Sequence, residues 1–227
     1  MTNRYLKALT LAAALAACLP AWSASAQADC GSCHALTRPD FATLGIAERL
    51  ERQAPPLWYA GNKYREGWLA KWLQAPTVLL SAGYFPNAAI RSTPEGDVPD
   101  PDKLHKHIAL PQAQAEAIAA ELMALKPHDA LVAAVKYEPG TVAKRMGSMD
   151  FGKFKGCQAC HQDEAGKGGL SGPELYTAWQ RLQPEYIVSF ITDPHAWDAN
   201  TIMPRMEMNA AAIHKLADYL KLIGGAE

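Results

Sequence analysis

Two pentapeptides constrain this chain more than anything else in it: Cys30-Gly31-Ser32-Cys33-His34 and Cys157-Gln158-Ala159-Cys160-His161. Each sets two thiols about one helical turn apart, with an imidazole on the very next residue. A disulfide, a redox dithiol or half of a zinc site would explain the cysteines alone. Local zinc modules, however, bring their second pair within a few tens of residues, and a redox dithiol has no need of the histidine.

The arrangement that uses all three side chains is attachment of haem c. The thiols reach the two vinyl groups and the adjacent histidine meets the iron from one side. Two motifs imply two haem c groups, attached through Cys30, Cys33, Cys157 and Cys160, with His34 and His161 as iron ligands.

The repetition extends beyond the motifs. Pro55–Pro76 lies over Pro173–Pro194 without gaps at an offset of 118 residues. Leu57/Leu175, Trp68/Tyr186, Leu69/Ile187, Trp72/Phe190 and Leu73/Ile191 match in character, and their spacing predicts one buried helix face ending before Pro76 and Pro194. Ala113–Leu125 lies over Ala211–Ile223 at an offset of 98, predicting a second amphipathic helix. The chain therefore reads as two copies of one unit, at 27–126 and 140–227, with 127–139 as linker, where Pro127 and Pro139 interrupt the periodicity.

The order in each copy is motif, Pro-rich turn, helix, loop and C-terminal helix. This resembles the class I cytochrome c family over essentially all of the chain after its first 26 residues. The resemblance implies an all-α fold of two tandem domains, each wrapping one haem, with a proline about a dozen residues after the motif orienting the proximal histidine. Pro173 lies twelve residues after His161. Pro55 lies 21 after His34, so copy one carries an insertion, read as the helix-like stretch Phe41–Arg52.

The resemblance also implies a distal methionine from the loop before the C-terminal helix. In copy two, Ile202-Met203-Pro204 looks like the family's Met-Pro signature, with Met206 and Met208 as nearby competitors. Copy one has no methionine between its motif and that helix, and Met123 falls within the helix as a core residue. Its loop carries His105 and His107, and the offset of 98 lays His105 over Met203. Bis-histidine ligation is expected there, with register favouring His105 and His107 as the alternative.

Residues 1–26 have the form of an export signal: Arg4 and Lys7, the apolar run Ala8–Leu19, then Ala24-Ser25-Ala26 with cleavage after Ala26. Leu15-Ala16-Ala17-Cys18 also resembles a lipoprotein box, which would anchor the chain by a lipid at Cys18. The expected location is the periplasm, free or tethered. No later run is apolar over the roughly 20 residues of a membrane span. The formal charge of −1 argues against nucleic-acid binding.

The expected function is electron transfer between redox protein partners, through a low-potential bis-histidine haem in copy one and a His/Met haem in copy two. A haem enzyme, peroxidase-like or oxidising sulfur compounds, and a cytochrome subunit of a periplasmic dehydrogenase are the alternatives. Lys153, Lys155 and Lys167 could steer an acidic partner or be a solvated surface. Glu95–Asp102 reads as an acidic connector. Trp58, Tyr59, Trp68 and Trp72 read as core, with Trp58 or Tyr59 able to touch a propionate.

Overall fold

The computed structural model describes residues 25–26, 30–51, 54–84 and 89–225. Nearly all of residues 1–26, read above as an export signal, Cys18 included, lies outside the described residues. In the first half the helices are α1 (Ile46–Leu50), α2 (Ala60–Lys63), α3 (Trp68–Gln74) and α4 (Gln112–Met123). After α5 (Asp129–Ala133) follow α6 (Lys144–Met149), α7 (Ala178–Arg181), α8 (Pro184–Thr192), α9 (Pro194–Trp197) and α10 (Ala210–Ile223).

Local chemistry sets these limits. Helices α3 and α8 stop short of Pro76 and Pro194, where a further turn would lose a backbone donor. The Asn209 side chain accepts the Ala212 N–H at 2.9 Å and starts α10. The offset of 118 lays α2 on α7 end to end, and the offset of 98 starts α4 and α10 in one register.

The all-α expectation needs correction. Two antiparallel ribbons interrupt the helices: β1 (Ile90–Thr93) with β2 (Gly96–Pro99), and β3 (Gln162–Glu164) with β4 (Lys167–Gly168). Both close tight turns, and the first takes in part of the stretch Glu95–Asp102. Ser92 Oγ donates to Asp97 Oδ1 at 2.7 Å across it. The alternation there is too short to show as a strand period.

Among the described residues of Phe41–Arg52 only α1 is helical, and its Ile46 is 76% exposed. Ala26 is tied to α4: it is buried, its N–H donates to Glu121 on α4 at 2.9 Å, and its carbonyl accepts the Cys30 N–H. The segment 127–139 is packed as well. Leu131, Val132, Val135 and Tyr137 lie against the core, and buried Asn62 holds both the His128 N–H and the Asp129 carboxylate.

The two halves meet at an antiparallel bridge between Tyr64 and Leu182. Arg65 N–H donates to Arg181 O at 2.9 Å, and Gln183 N–H to Lys63 O at 3.0 Å. Arg65 Nε donates to Trp179 O at 2.6 Å, and Gln183 Nε2 to Gly61 O at 2.8 Å. A shift of 118 residues converts the first bond of each pair into the second, so the contact has local two-fold pseudosymmetry. Around it Trp58, Tyr59, Tyr186 and Trp197 are buried, and one hydrophobic core continues through both halves.

Candidate functional site

Both motifs fold into the same tight turn. Cys33 and His34 donate their N–H groups to Cys30 O at 3.1 and 2.9 Å, and Cys160 and His161 donate theirs to Cys157 O at 3.2 and 3.0 Å. No disulfide joins the four cysteines. Burial pushes the Cys157 thiol up, which keeps it protonated and a poor nucleophile, unlike an activated redox dithiol. Among the described residues no three His, Cys, Asp or Glu side chains converge as a zinc site would require.

Each motif histidine is held by its second nitrogen. His34 Nδ1 lies 2.7 Å from Pro55 O, and His161 Nδ1 lies 2.7 Å from Pro173 O. A carbonyl can only accept, so the proton sits on Nδ1 and Nε2 is the unprotonated nitrogen, the tautomer that metal ligation needs. Burial, chiefly, holds the His161 imidazole below its ordinary pKa, which favours the neutral form that ligation needs. The ring also lies against Gly172, where an added Cβ would stand 2.4 Å from Cε1. Only glycine allows that approach.

The second motif is also tied to the distant C-terminal helix. Gln158, inside the pentapeptide, donates to Asp163 Oδ1 at 3.0 Å, and Tyr219 of α10 donates to Asp163 Oδ2 at 2.7 Å. Burial and that bond push the Tyr219 phenol up to about 12, so it remains a donor at any ordinary pH. Beside Pro173, buried Glu174 and Arg181 pair, and Arg181 Nη2 also donates to Glu174 O. The carbonyl that orients His161 therefore stands on a chain segment braced by charge and hydrogen bonds.

The centre of the His107 ring lies 6.2 Å from that of His34, with the planes crossed at 60°. His107 Nδ1 lies 2.8 Å from Ile108 O, which again makes Nε2 the unprotonated nitrogen. Trp72 packs edge-on to His107 at 4.7 Å. His105 and His107 are both exposed, and His105 has no hydrogen bond or ring contact among the described residues. With metal–nitrogen bonds of about 2 Å and about 1.1 Å from nitrogen to ring centre, two imidazoles on opposite sides of one ion put their centres roughly 6 Å apart.

In the second site, Met203 and Met206 are both half-buried and Met208 packs against the core. The Met203 N–H donates to Thr201 Oγ1 at 3.3 Å. Burial does not separate Met203 from Met206. Met123 lies on α4 against the core. Lys153 and Lys167 are exposed, and Lys167 pairs with Glu164 at 3.7 Å.

Sequence reasoning passed over His128 and Trp197. The His128 ring packs 5.0 Å from both Trp58 and Trp197, at the seam between the halves. Neither residue has a counterpart in the repeat alignment, so only the fold reveals them.

Residues 143–220 match the family model of cytochrome c oxidase, cbb3-type, subunit III. Over those residues the chain is similar to a c-type cytochrome domain, a class that binds haem c and transfers electrons with redox partners. No curated protein and no solved structure matches the chain. Among the described residues no helix is long and apolar enough to cross a membrane.

Proposed function

We propose that the chain is an exported, two-domain di-haem cytochrome c, with one haem in each half. The observation that carries this reading is the duplication of the proximal arrangement: the same turn, the same histidine and the same 2.7 Å bond to a proline carbonyl at Pro55 and Pro173. The pseudosymmetric contact around Tyr64 and Leu182 supports it further. In each half the cysteines fix the cofactor covalently and the histidine presents Nε2 to its iron. Haem c supplies a one-electron iron couple; the chain sets its ligands, its burial and its neighbours.

Site one takes His34 with His107, and site two takes His161 with Met203. The ring separation favours His107 over the register-based choice of His105. With haem c bound, ligation by His34 and His107 would stabilise ferric iron more than ligation by His161 and Met203, so site one would hold the lower potential and site two would be the downhill acceptor. A haem enzyme needs an open coordination position, and the 6.2 Å ring separation of His34 and His107 supports a closed one at site one. The matched family's description favours a second reading, in which the chain serves as the cytochrome subunit of a larger redox complex.

The test is a haem count by intact mass, with near-infrared magnetic circular dichroism of the oxidised protein and a redox titration. Two covalent haems, one His/His and one His/Met band, and the His/His site titrating lower are expected. A single covalent haem would refute the di-haem reading. A high-spin band would return the enzyme reading to the front, and co-purification of stoichiometric partner subunits would select the complex.

A further inference from the structure

We infer that Trp72 is a positioning residue that holds the His107 imidazole crossed against that of His34, giving site one a highly anisotropic low-spin ferric state. The inference rests on the bis-histidine reading above. It adds the relative orientation of the two rings and the residue that fixes it.

The ring planes of His34 and His107 cross at 60°, and each ring is pinned separately. His34 cannot turn without breaking its Nδ1 bond to Pro55 O. His107 is held at Nδ1 by Ile108 O, and the edge-on Trp72 ring, at an interplanar angle of 65°, blocks rotation toward a parallel arrangement. The Ile108 bond comes from the neighbouring residue of the same loop and can move with it. Trp72 cannot, because its Nε1 donates to Thr77 Oγ1 at 3.2 Å and its face stacks on Trp68 at 5.8 Å. Trp68 in turn stacks on Tyr64 at 5.3 Å, and Tyr64 is buried in the bridge to Leu182. The orientation of a loop histidine is thereby set by a ladder of rings founded in the contact between the halves.

Ring orientation matters because each imidazole donates π density to the iron orbital perpendicular to its own plane. Parallel rings raise the same orbital and split the dπ pair. Rings crossed at 60° raise both, leaving about half the parallel splitting, and the smaller splitting makes the ferric g-tensor more anisotropic than parallel rings would.

The experiment is low-temperature electron paramagnetic resonance of the oxidised holoprotein, paired with near-infrared magnetic circular dichroism. The native protein should give His/His bands together with a single large-g ramp from site one. Trp72→Leu should keep the His/His bands and shift site one toward a three-line rhombic spectrum, with the ramp lost. Trp72→Phe, which retains a ring, should preserve most of the ramp. Should Trp72→Leu fail to accumulate, Thr77→Val removes only the indole bond and should lower the largest g value. Native His/His bands with a rhombic spectrum would overturn the inference and leave the bis-histidine reading standing. An unchanged ramp in Trp72→Leu, or in Thr77→Val where that variant stands in, would overturn the role of Trp72. Absence of His/His bands would overturn the reading and the inference together.

Discussion

Gly147 offers the most direct test of how the second half is assembled. It is buried on α6 where that helix crosses α10, and an added Cβ would stand 2.3 Å from Cδ2 and 2.7 Å from Cγ of Tyr219. Relief requires the helices to part by about 1 Å, because the ring is itself held by the bond to Asp163. Overpacking of this kind costs about 3 kcal/mol at its upper end. The loosened Tyr219–Asp163 bond adds about 1 kcal/mol, and the better helix propensity of alanine returns about 1 kcal/mol. Gly147→Ala should therefore lose roughly 3 kcal/mol, read as a lower urea midpoint at unchanged slope in far-ultraviolet circular dichroism of the holoprotein. Adding Tyr219→Leu should recover part of the loss. A Gly147→Ala protein within about 0.5 kcal/mol of native, or more stable, would refute the close helix crossing and with it the tie from α10 to the second motif.

Three further outcomes follow from particular side chains. His107→Ala should abolish the His/His near-infrared band, whereas His105→Ala should leave the spectrum unchanged; the reverse result would restore the register-based choice. Burial, and secondarily the charge of Arg38, hold His128 below its ordinary pKa. The unfolded chain then binds the proton first, so stability should fall as pH drops below about 6.5 toward the lower folded value. His128→Phe should flatten that stretch of the stability-versus-pH curve, and an unchanged slope would show that another group controls it. Gln183→Ala removes two bonds across the seam, to Gly61 O and Tyr64 O at 2.8 Å each, and should cost about 2 kcal/mol in urea unfolding.

The arrangement around the two motifs was legible in the sequence because it is local. Cysteine spacing, the following histidine and the downstream proline act within one turn and one loop, and Pro55 and Pro173 hold their histidines as the resemblance implied. The helices over Trp68–Leu73 and before Ile223 were legible for a similar reason, since their burial follows a 3.6-residue period. The register between copies was less secure. A 20-residue insertion containing the β1–β2 ribbon separates α3 from α4, so an offset transferred from one helix to a loop can slip by two positions. That slip separates His105 from His107.

What the sequence determined by itself was the pair of Cys-x-x-Cys-His motifs, the repeat that carries them and the helical elements, all of which depend on neighbours along the chain. Only the tertiary structure decided which loop histidine faces His34, how α10 reaches Asp163, and that the halves join at Tyr64 and Leu182. Each of these depends on residues brought together by packing from distant parts of the chain. Side-chain spacing carries no record of such distances, because they arise when buried faces meet and the remaining polar groups must find partners across the contact.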